Sequence, residues 1–182
     1  MKIIDLDSNN KQAVEQTARL LFDSFGTPDA WPTLESAVEE VLESFDEDRI
    51  SRVALDDNGD VVGWIAGISD YDGNVWELHP LAVSSAHRER GIGRALVADF
   101  ENVVRQRGGI TVNLGTDDLR NQTSLGGIDL YPDVWHHIKA IKNLDRHPYE
   151  FYQKLGYVIV GVLPDANGPG RPDIFMAKRV SL

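Results

Sequence analysis

The sequence of 182 residues contains no cysteine, which excludes disulfide bonds, thiolate metal ligands and a cysteine nucleophile. Basic residues are few: 18 lysines and arginines stand against 29 aspartates and glutamates, so the net charge is −11. Nucleic-acid binding depends on cationic side chains that neutralise phosphates, so we predict no nucleic-acid partner. There is no apolar run near the ~20 residues that a membrane-spanning helix needs, and residues 1–9 contain acidic side chains where a signal peptide is apolar. We therefore expect a cytoplasmic protein without a membrane partner.

What is present is typical of one folded domain over residues 1–182, since 42% of the residues are hydrophobic and 26% are charged. Apolar residues recur at helical spacing in residues 94–107, between apolar strands at residues 76–83 and 111–115. A strand, a helix and a strand at this spacing form a βαβ unit. We predict an α/β (α+β) fold, a single domain with a central, mixed, twisted sheet flanked by helices.

The first half of the chain predicts two amphipathic helices and a hairpin. The helices are expected over residues 11–25 and 34–45. Two apolar strands, at residues 52–56 and 61–68, are then separated by the polar turn Asp57-Asn58-Gly59-Asp60. Asn-Gly between apolar runs is a strong hairpin signal, and it predicts positive φ at both Asn58 and Gly59.

A glycine-containing turn lies between the strand at residues 76–83 and the helix that follows. Its residues are Arg88, Glu89, Arg90, Gly91, Ile92, Gly93 and, at the start of the helix, Arg94. Glycines before a helix let the backbone approach an anion closely, and the N–H groups of the first helical turn can then bind phosphate oxygens. The segment lacks the third glycine of a dinucleotide fingerprint and the Gly-Lys-Ser/Thr of a P-loop. It predicts a phosphate-binding loop, and the alternative is a plain turn with helix-capping glycines.

The R-x-x-G-x-G pattern of residues 88–93, placed after a strand, resembles the pyrophosphate-binding signature of the GNAT acetyltransferase superfamily. Residues 148–157, PYEFYQKLGY, resemble a second motif of that superfamily, and the two occur in the expected order. Several segments between residues 76 and 178, among them WELHPL at residues 76–81, are similar to the chromosomal-type aminoglycoside 6′-N-acetyltransferases of Gram-positive bacteria. The resemblance implies a GNAT fold, acetyl-CoA as co-substrate, an aminoglycoside as small-molecule partner and a homodimer.

The resemblance also implies binding residues. The strand backbone would pair with the pantetheine arm of acetyl-CoA through Leu81, Ala82 and Val83. The loop at residues 88–94 would hold its pyrophosphate. Asp117 and Asp118 would help to hold a cationic acceptor, although a strand-end turn is an equal alternative for this pair. Two aromatic residues, Trp31 and Tyr71, are weaker candidates for stacking on a sugar ring, because isolated aromatic residues more often pack in the core.

Glu77, Tyr152 and His79 are the candidate catalytic residues. The resemblance implies that Glu77 acts at the acceptor amine, as a base or through water, and that Tyr152 acts as general acid near the thioester sulfur. The chemistry agrees, because an ammonium cannot attack a thioester until a group such as a carboxylate takes its proton, and a phenol can protonate a leaving thiolate. His79 shares the strand face of Glu77 if the strand is regular. The plainer alternatives are a solvated glutamate, a structural histidine and a tyrosine packed beside Phe151.

Together these observations predict an N-acetyltransferase that moves the acetyl group of acetyl-CoA to the 6′-amine of an aminoglycoside, as in antibiotic resistance. Without a cysteine to carry an acetyl group, direct transfer in a ternary complex is predicted. The five histidines show no spaced carboxylate cluster, so no metal is predicted. The alternatives are a GNAT enzyme for a polyamine, a small metabolite or a protein amine, and a non-catalytic acyl-CoA-binding module.

Overall fold

The structure is a computed structural model that describes residues 1–27 and 30–181. Its contacts divide the chain into two compact units. The first unit contains Met1–Ile110 and the end of the chain, and the second contains Thr111–Arg179. The single domain over residues 1–182 stays a prediction.

The first unit contains strands, helices and short 3-10 turns in the following order: β1 (Lys2–Asp5), α1 (Lys11–Phe25), α2 (Leu34–Glu43), β2 (Arg49–Leu55), β3 (Val61–Asp70), a turn at Tyr71–Gly73, β4 (Val75–Val83), a turn at Ser85–His87, and α3 (Ile92–Gln106). The helices predicted over residues 11–25, 34–45 and 94–107 are confirmed as α1, α2 and α3. The second helix ends earlier than predicted, because Ser44 caps it and donates its hydroxyl to the Val41 carbonyl at 2.6 Å.

Local side-chain hydrogen bonds fix where α1 and α2 begin. The Asn10 side chain accepts the Ala13 N–H at 3.1 Å. Thr33 accepts the Ser36 N–H at 3.1 Å, while the Ser36 hydroxyl accepts the Thr33 N–H at 3.3 Å. Such caps satisfy N–H groups for which the helix itself has no acceptor. The apolar faces of both helices then pack on the sheet, with Leu21 fully buried.

The four strands of the first unit form an antiparallel sheet in the order β1-β2-β3-β4. The predicted hairpin is confirmed between β2 and β3, but only Gly59 has a positive φ, at +88°. The expectation of positive φ at Asn58 is wrong. The Asp56 carboxylate accepts the N–H groups of Asn58 and Asp60 at 2.9 and 3.0 Å. This side chain therefore holds a longer turn, in which Asn58 keeps an ordinary backbone conformation.

Two glycines of β3 allow α3 to lie close against the sheet. A Cβ atom at Gly67 would overlap the ring of Phe100, and one at Gly63 would stand 2.9 Å from the Leu96 side chain. Phe100 and Leu96 are both fully buried, which confirms that the apolar stripe of α3 is core. The beginning of α3 is thereby fixed near the end of β4.

Strand β4 contains one residue more than the part of β3 that it pairs with. Leu81 lies opposite Ile65 and Leu78 lies opposite Gly67, so three steps along β4 match two along β3. A bulge of this kind changes the face to which the alternating side chains point. On one side of the bulge, Leu78 therefore shares the α3-facing side of Gly67. On the other side, Ala82 packs in the core formed with α1 and α2.

The second unit contains β5 (Thr111–Asp117), a 3-10 turn (Tyr131–Asp133), α4 (Val134–Lys139), α5 (Tyr149–Lys154), β6 (Val158–Leu163) and β7 (Asp173–Arg179). Its strands pair antiparallel in the order β5-β7-β6. One face of this sheet is buried through Val112, Leu114, Ile174 and Met176. The opposite face carries the exposed residues Val158, Leu163 and Phe175.

Candidate active site

Glu77 and His79 project from one face of β4. The strand alternates between buried and half-buried residues, with Trp76 and Leu78 buried and Glu77 and His79 half-buried. Because Leu78 shares the side of the sheet that meets α3, its neighbours Glu77 and His79 point to the opposite side, where α1 and α2 pack. The structure thus brings the predicted base and the predicted histidine together on one face of one strand.

Trp31 lies directly against His79. The two ring centroids are 5.7 Å apart with an angle of 37° between the planes, and the Phe25 ring lies 6.0 Å from Trp31. The indole N–H of Trp31 donates a hydrogen bond to Glu40 of α2 at 3.3 Å. Trp31 is therefore a wall beside the candidate catalytic face, which is where a residue that contacts the acceptor would have to lie.

The predicted phosphate loop has the backbone shape of an anion-binding turn. Glu89 and Gly91 adopt left-handed conformations, with φ of +61° and +82°, and Gly91 is the N-cap of α3. The first helical hydrogen bond runs from the Ala95 N–H to the Gly91 carbonyl. The N–H groups of Ile92, Gly93 and Arg94 come before it and have no carbonyl acceptor within the helix. A Cβ atom at Gly91 would meet nothing within 4 Å, which leaves open space in front of the loop.

The end of β4 offers backbone groups on the edge that does not face β3. Ser84 donates its N–H to Val62 of β3, so by alternation the polar groups of Leu81 and Val83 point the other way. Arg88 confirms this direction, because its Nε donates to the Val83 carbonyl at 3.2 Å. A charged side chain of the loop is thus tied to the strand whose backbone was predicted to bind the pantetheine arm.

Tyr152 lies in the second unit, on α5, and is nearly fully buried. Its ring stands 5.0 Å from Phe151 and 5.7 Å from Tyr157, in edge-on arrangements. Burial raises the pKa of the Tyr152 hydroxyl above its usual range. The phenol therefore stays protonated at neutral pH and can donate a hydrogen bond, and core packing accounts for part of its surroundings.

Asp117 and Asp118 differ in their surroundings although they are neighbours. The Asp118 side chain is completely buried, and it accepts the N–H groups of Gln122 at 2.6 Å and Thr123 at 2.8 Å together with the Thr123 hydroxyl at 2.8 Å. Asp117 is exposed and accepts one hydrogen bond from the Asn167 side chain. The contacts of Asp118 are those of a residue that organises a loop, whereas Asp117 remains open to solvent.

Tyr71 lies at the tip of the turn between β3 and β4 and is 70% exposed. Its ring is open to solvent, unlike the half-buried ring of Trp31. The structure therefore associates Trp31 with the β4 face through a ring contact and places Tyr71 on the surface of the hairpin.

His147, which was not among the predicted site residues, lies in the second unit between the end of β5 and the start of α5. Its ring is buried, with Nε2 3.1 Å from the Asp117 carbonyl and Nδ1 accepting the Tyr149 N–H at 3.3 Å. An acceptor at Nδ1 requires the neutral Nε2–H form, which donates to Asp117. Burial lowers the pKa of His147, and the Asp117 carbonyl and the nearby carboxylates only partly oppose this. His147 thus connects the start of α5, which carries Tyr152, to the end of β5, and no sequence pattern signals this contact.

Within residues 1–27 and 30–181, we find no group of three or more histidine, aspartate or glutamate side chains that could hold a metal ion. In the same ranges, none of the helices has the length and apolar character needed to cross a membrane.

Comparison with known proteins adds to this geometry. Residues 14–131 match the acetyltransferase (GNAT) family. Aminoglycoside 6′-N-acetyltransferase complexed with coenzyme A is 45% identical to this chain, with a TM-score of 0.92 over 100% of this chain and 98% of that chain. The aminoglycoside 6′-N-acetyltransferase from Enterococcus faecium is also 45% identical, with a TM-score of 0.90 over 100% and 98%. Aminoglycoside 6′-acetyltransferase type Ii is 41% identical, with a TM-score of 0.78 over 100% and 99%. A sequence search of curated proteins finds no match.

Proposed function

Because the chain belongs to the GNAT acetyltransferase family, we propose that it transfers the acetyl group of acetyl-CoA to the 6′-amine of an aminoglycoside. Family membership confirms the predicted α/β fold and the predicted resemblance. One observation carries the proposal: the chain is 45% identical over its full length to an aminoglycoside 6′-N-acetyltransferase complexed with coenzyme A. Two features of the site support it, the Glu77 and His79 pair on one strand face and the arginine-containing loop at the end of that strand.

Glu77 is the proposed base. It takes a proton from the acceptor ammonium, directly or through one water molecule, and the neutral amine then attacks the thioester carbon. The C–N bond forms as the C–S bond breaks, so the acetyl group passes directly to the acceptor. The acylated nitrogen then loses its second proton to solvent, which leaves a neutral amide. The loop at residues 88–94 holds the pyrophosphate through its N–H groups and arginines, which keeps the thioester in place during the attack.

Tyr152 is the proposed donor at the leaving sulfur. Its raised pKa keeps the phenol protonated, so it can donate a hydrogen bond to the developing thiolate. A thiol has a pKa of about 8–9, below that of this phenol, so complete proton transfer from Tyr152 is unfavourable. We therefore assign stabilisation of the sulfur to Tyr152 and the final protonation of the thiolate to solvent.

The charge of the protein supports a cationic acceptor. Residues 1–110 and 180–182 hold 21 aspartates and glutamates against 10 lysines and arginines, whereas residues 111–179 hold eight of each. The whole net charge of −11 therefore belongs to the first unit, which carries Glu77, His79 and Trp31. A negative surface attracts a polycation over long range. Acetylation converts one ammonium of the acceptor into a neutral amide, which weakens its attraction to polyanions and would underlie antibiotic resistance.

A homodimer and a cytoplasmic location complete the proposal. Acetyl-CoA is an intracellular metabolite, so the reaction belongs in the cytoplasm. For the dimer, the open face of the second-unit sheet suits a second copy of the chain, since Val158 and Leu163 are 61% and 50% exposed there. The second unit has no net charge, so two copies can approach through it without strong repulsion. Sedimentation of the wild type and of Val158→Lys tests this, because the variant is expected to be a monomer, and a monomeric wild type would refute the dimer.

The reaction is tested by release of free thiol from acetyl-CoA with four acceptors: a 6′-amino aminoglycoside, its 6′-hydroxyl counterpart, spermidine and a lysine peptide. Turnover with the 6′-amine alone is expected. Turnover with spermidine or the peptide instead would reassign the acceptor, and acetyl-CoA binding without any turnover would favour a binding module. Glu77→Gln should lower kcat by at least about 100-fold with unchanged acetyl-CoA binding. Glu43→Gln is the matched control: it removes one negative charge at an exposed position of α2 and should behave like the wild type.

A further inference from the structure

Among the residues that the structure describes, the Trp31 indole has ring contacts with two side chains and a hydrogen bond to a third. The Phe25 ring at the end of α1 lies 6.0 Å from it, and the His79 ring on β4 lies 5.7 Å from it. Ring contacts at these distances permit sliding and tilting, because dispersion depends weakly on orientation. The hydrogen bond from the indole N–H to the Glu40 carboxylate, at 3.3 Å, instead fixes the direction in which the N–H points.

Glu40 differs from the other acidic residues around it. Its side chain is half-buried, whereas its neighbours Glu39 and Glu43 are exposed. Glu40 belongs to α2, whose start is fixed by the Thr33 and Ser36 capping box. The carboxylate is therefore carried by a rigid element, while Trp31 lies outside the helices and has no regular backbone structure of its own.

We propose that Glu40 is a positioning residue that fixes the Trp31 indole against His79 and so shapes the acceptor side of the active site. This inference rests on the proposed function, because it concerns the acceptor that Glu77 deprotonates. Glu40 contacts no reacting atom in this scheme. It acts through Trp31, whose ring forms a wall beside His79 on the face of β4 that also carries Glu77. Without the hydrogen bond the indole can rotate about its side-chain torsions. The acceptor then binds to a surface that is no longer preorganised, which lowers its affinity.

The test separates the hydrogen bond from the charge. Glu40→Ala should raise the KM for the aminoglycoside roughly fivefold to tenfold, the usual net contribution of one hydrogen bond, with kcat and the KM for acetyl-CoA unchanged. Glu40→Gln keeps an acceptor oxygen at the same distance from the helix and should restore most of the lost affinity. Glu39→Ala removes the same charge from the same helix without this contact and should match the wild type. Equal effects of Glu39→Ala and Glu40→Ala, or failure of Glu40→Gln to rescue, would overturn the proposal.

A second measurement does not depend on turnover. The Trp31 ring current shifts the proton resonances of His79, which are assigned by their loss in His79→Asn. Glu40→Ala should move these resonances in the acceptor-free protein, while Glu39→Ala should leave them in place. Trp31→Phe removes the N–H, so adding Glu40→Ala to that variant should change the aminoglycoside KM no further. If the wild type acetylates no aminoglycoside, the proposed function fails, yet the resonances still decide whether Glu40 positions Trp31. Unmoved resonances in Glu40→Ala refute the positioning role.

Discussion

Replacing Asp118 by alanine distinguishes a loop-organising carboxylate from an acceptor-binding one. The substitution removes the carboxylate oxygens that accept the N–H groups of Gln122 and Thr123, at 2.6 and 2.8 Å. Thr123 is fully buried, so water cannot easily replace the lost acceptor there. The N–H and the hydroxyl of Thr123 both lose their acceptor, and each buried donor without one costs about 1–3 kcal/mol, so the free energy of unfolding should fall by about 2–6 kcal/mol.

Such a loss is a large share of the about 5–15 kcal/mol that stabilises a typical domain. For a chain of this size each kcal/mol corresponds to about 2–4 °C, so the melting temperature of Asp118→Ala should fall by about 5–20 °C. Thermal and urea unfolding followed by circular dichroism measure this. Asp117→Ala is the control, because it removes an exposed carboxylate with a single side-chain partner and should cost under about 1 kcal/mol. A variant Asp118→Ala that melts like the wild type but binds aminoglycoside poorly would refute the loop role.

Three further predictions concern the titration of His147 and the substitution of two glycines. Burial lowers the folded-state pKa of His147 below its unfolded value of about 6.5, so the unfolded chain binds the extra proton first as the pH falls. The contribution of His147 to stability should therefore be full above pH 6.5 and decline below it. Urea unfolding between pH 5 and 8 should show this slope, and His147→Asn should lack it. Gly67→Ala should unfold the protein at a markedly lower temperature because its Cβ overlaps Phe100, whereas Gly161→Ala, whose Cβ meets nothing within 4 Å, should melt close to the wild type. Gly91→Val should weaken acetyl-CoA binding measured by calorimetry, since φ at this position is +82° and the side chain would enter the space in front of the loop; unchanged affinity would remove the loop from the cofactor site.

Periodicity predicted the elements of the fold well, while side-chain contacts decided their ends and turns. The helix α3 follows from its apolar stripe, because a strongly amphipathic segment can bury only one face. The end of α2 could not be predicted, because it depends on the Ser44 hydroxyl returning to a backbone carbonyl. The conformation of Asn58 was predicted wrongly for a similar reason, since the Asp56 carboxylate holds a different turn from the one that Asn-Gly favours.

The candidate site was predictable where one strand or one loop carries it. Glu77 and His79 share a face because they are two residues apart, and Gly91 of the loop before α3 has a left-handed conformation that glycine adopts without strain. Contacts between distant segments were not predictable. Nothing in the sequence shows that Trp31 meets His79, that Glu40 holds the indole, or that His147 lies beside the end of β5. For Asp118 the sequence left acceptor binding and a strand-end turn equally open, because a buried carboxylate and a solvent-exposed one are the same letter in a sequence.

The additional residue in β4 makes the active site sensitive to length rather than to composition. If Pro80 were deleted, β4 and β3 would pair without interruption, but every side chain on the Val75 side would change faces. Trp76 would then turn toward α1 and α2, and Glu77 would turn into the packed surface of α3. A deletion that touches no functional residue would thus abolish the site, although substitutions along the same strand would leave its geometry intact. In homologues and in engineered variants, insertions and deletions should therefore occur in the turns that flank β4, such as Tyr71–Gly73, and not within the strand.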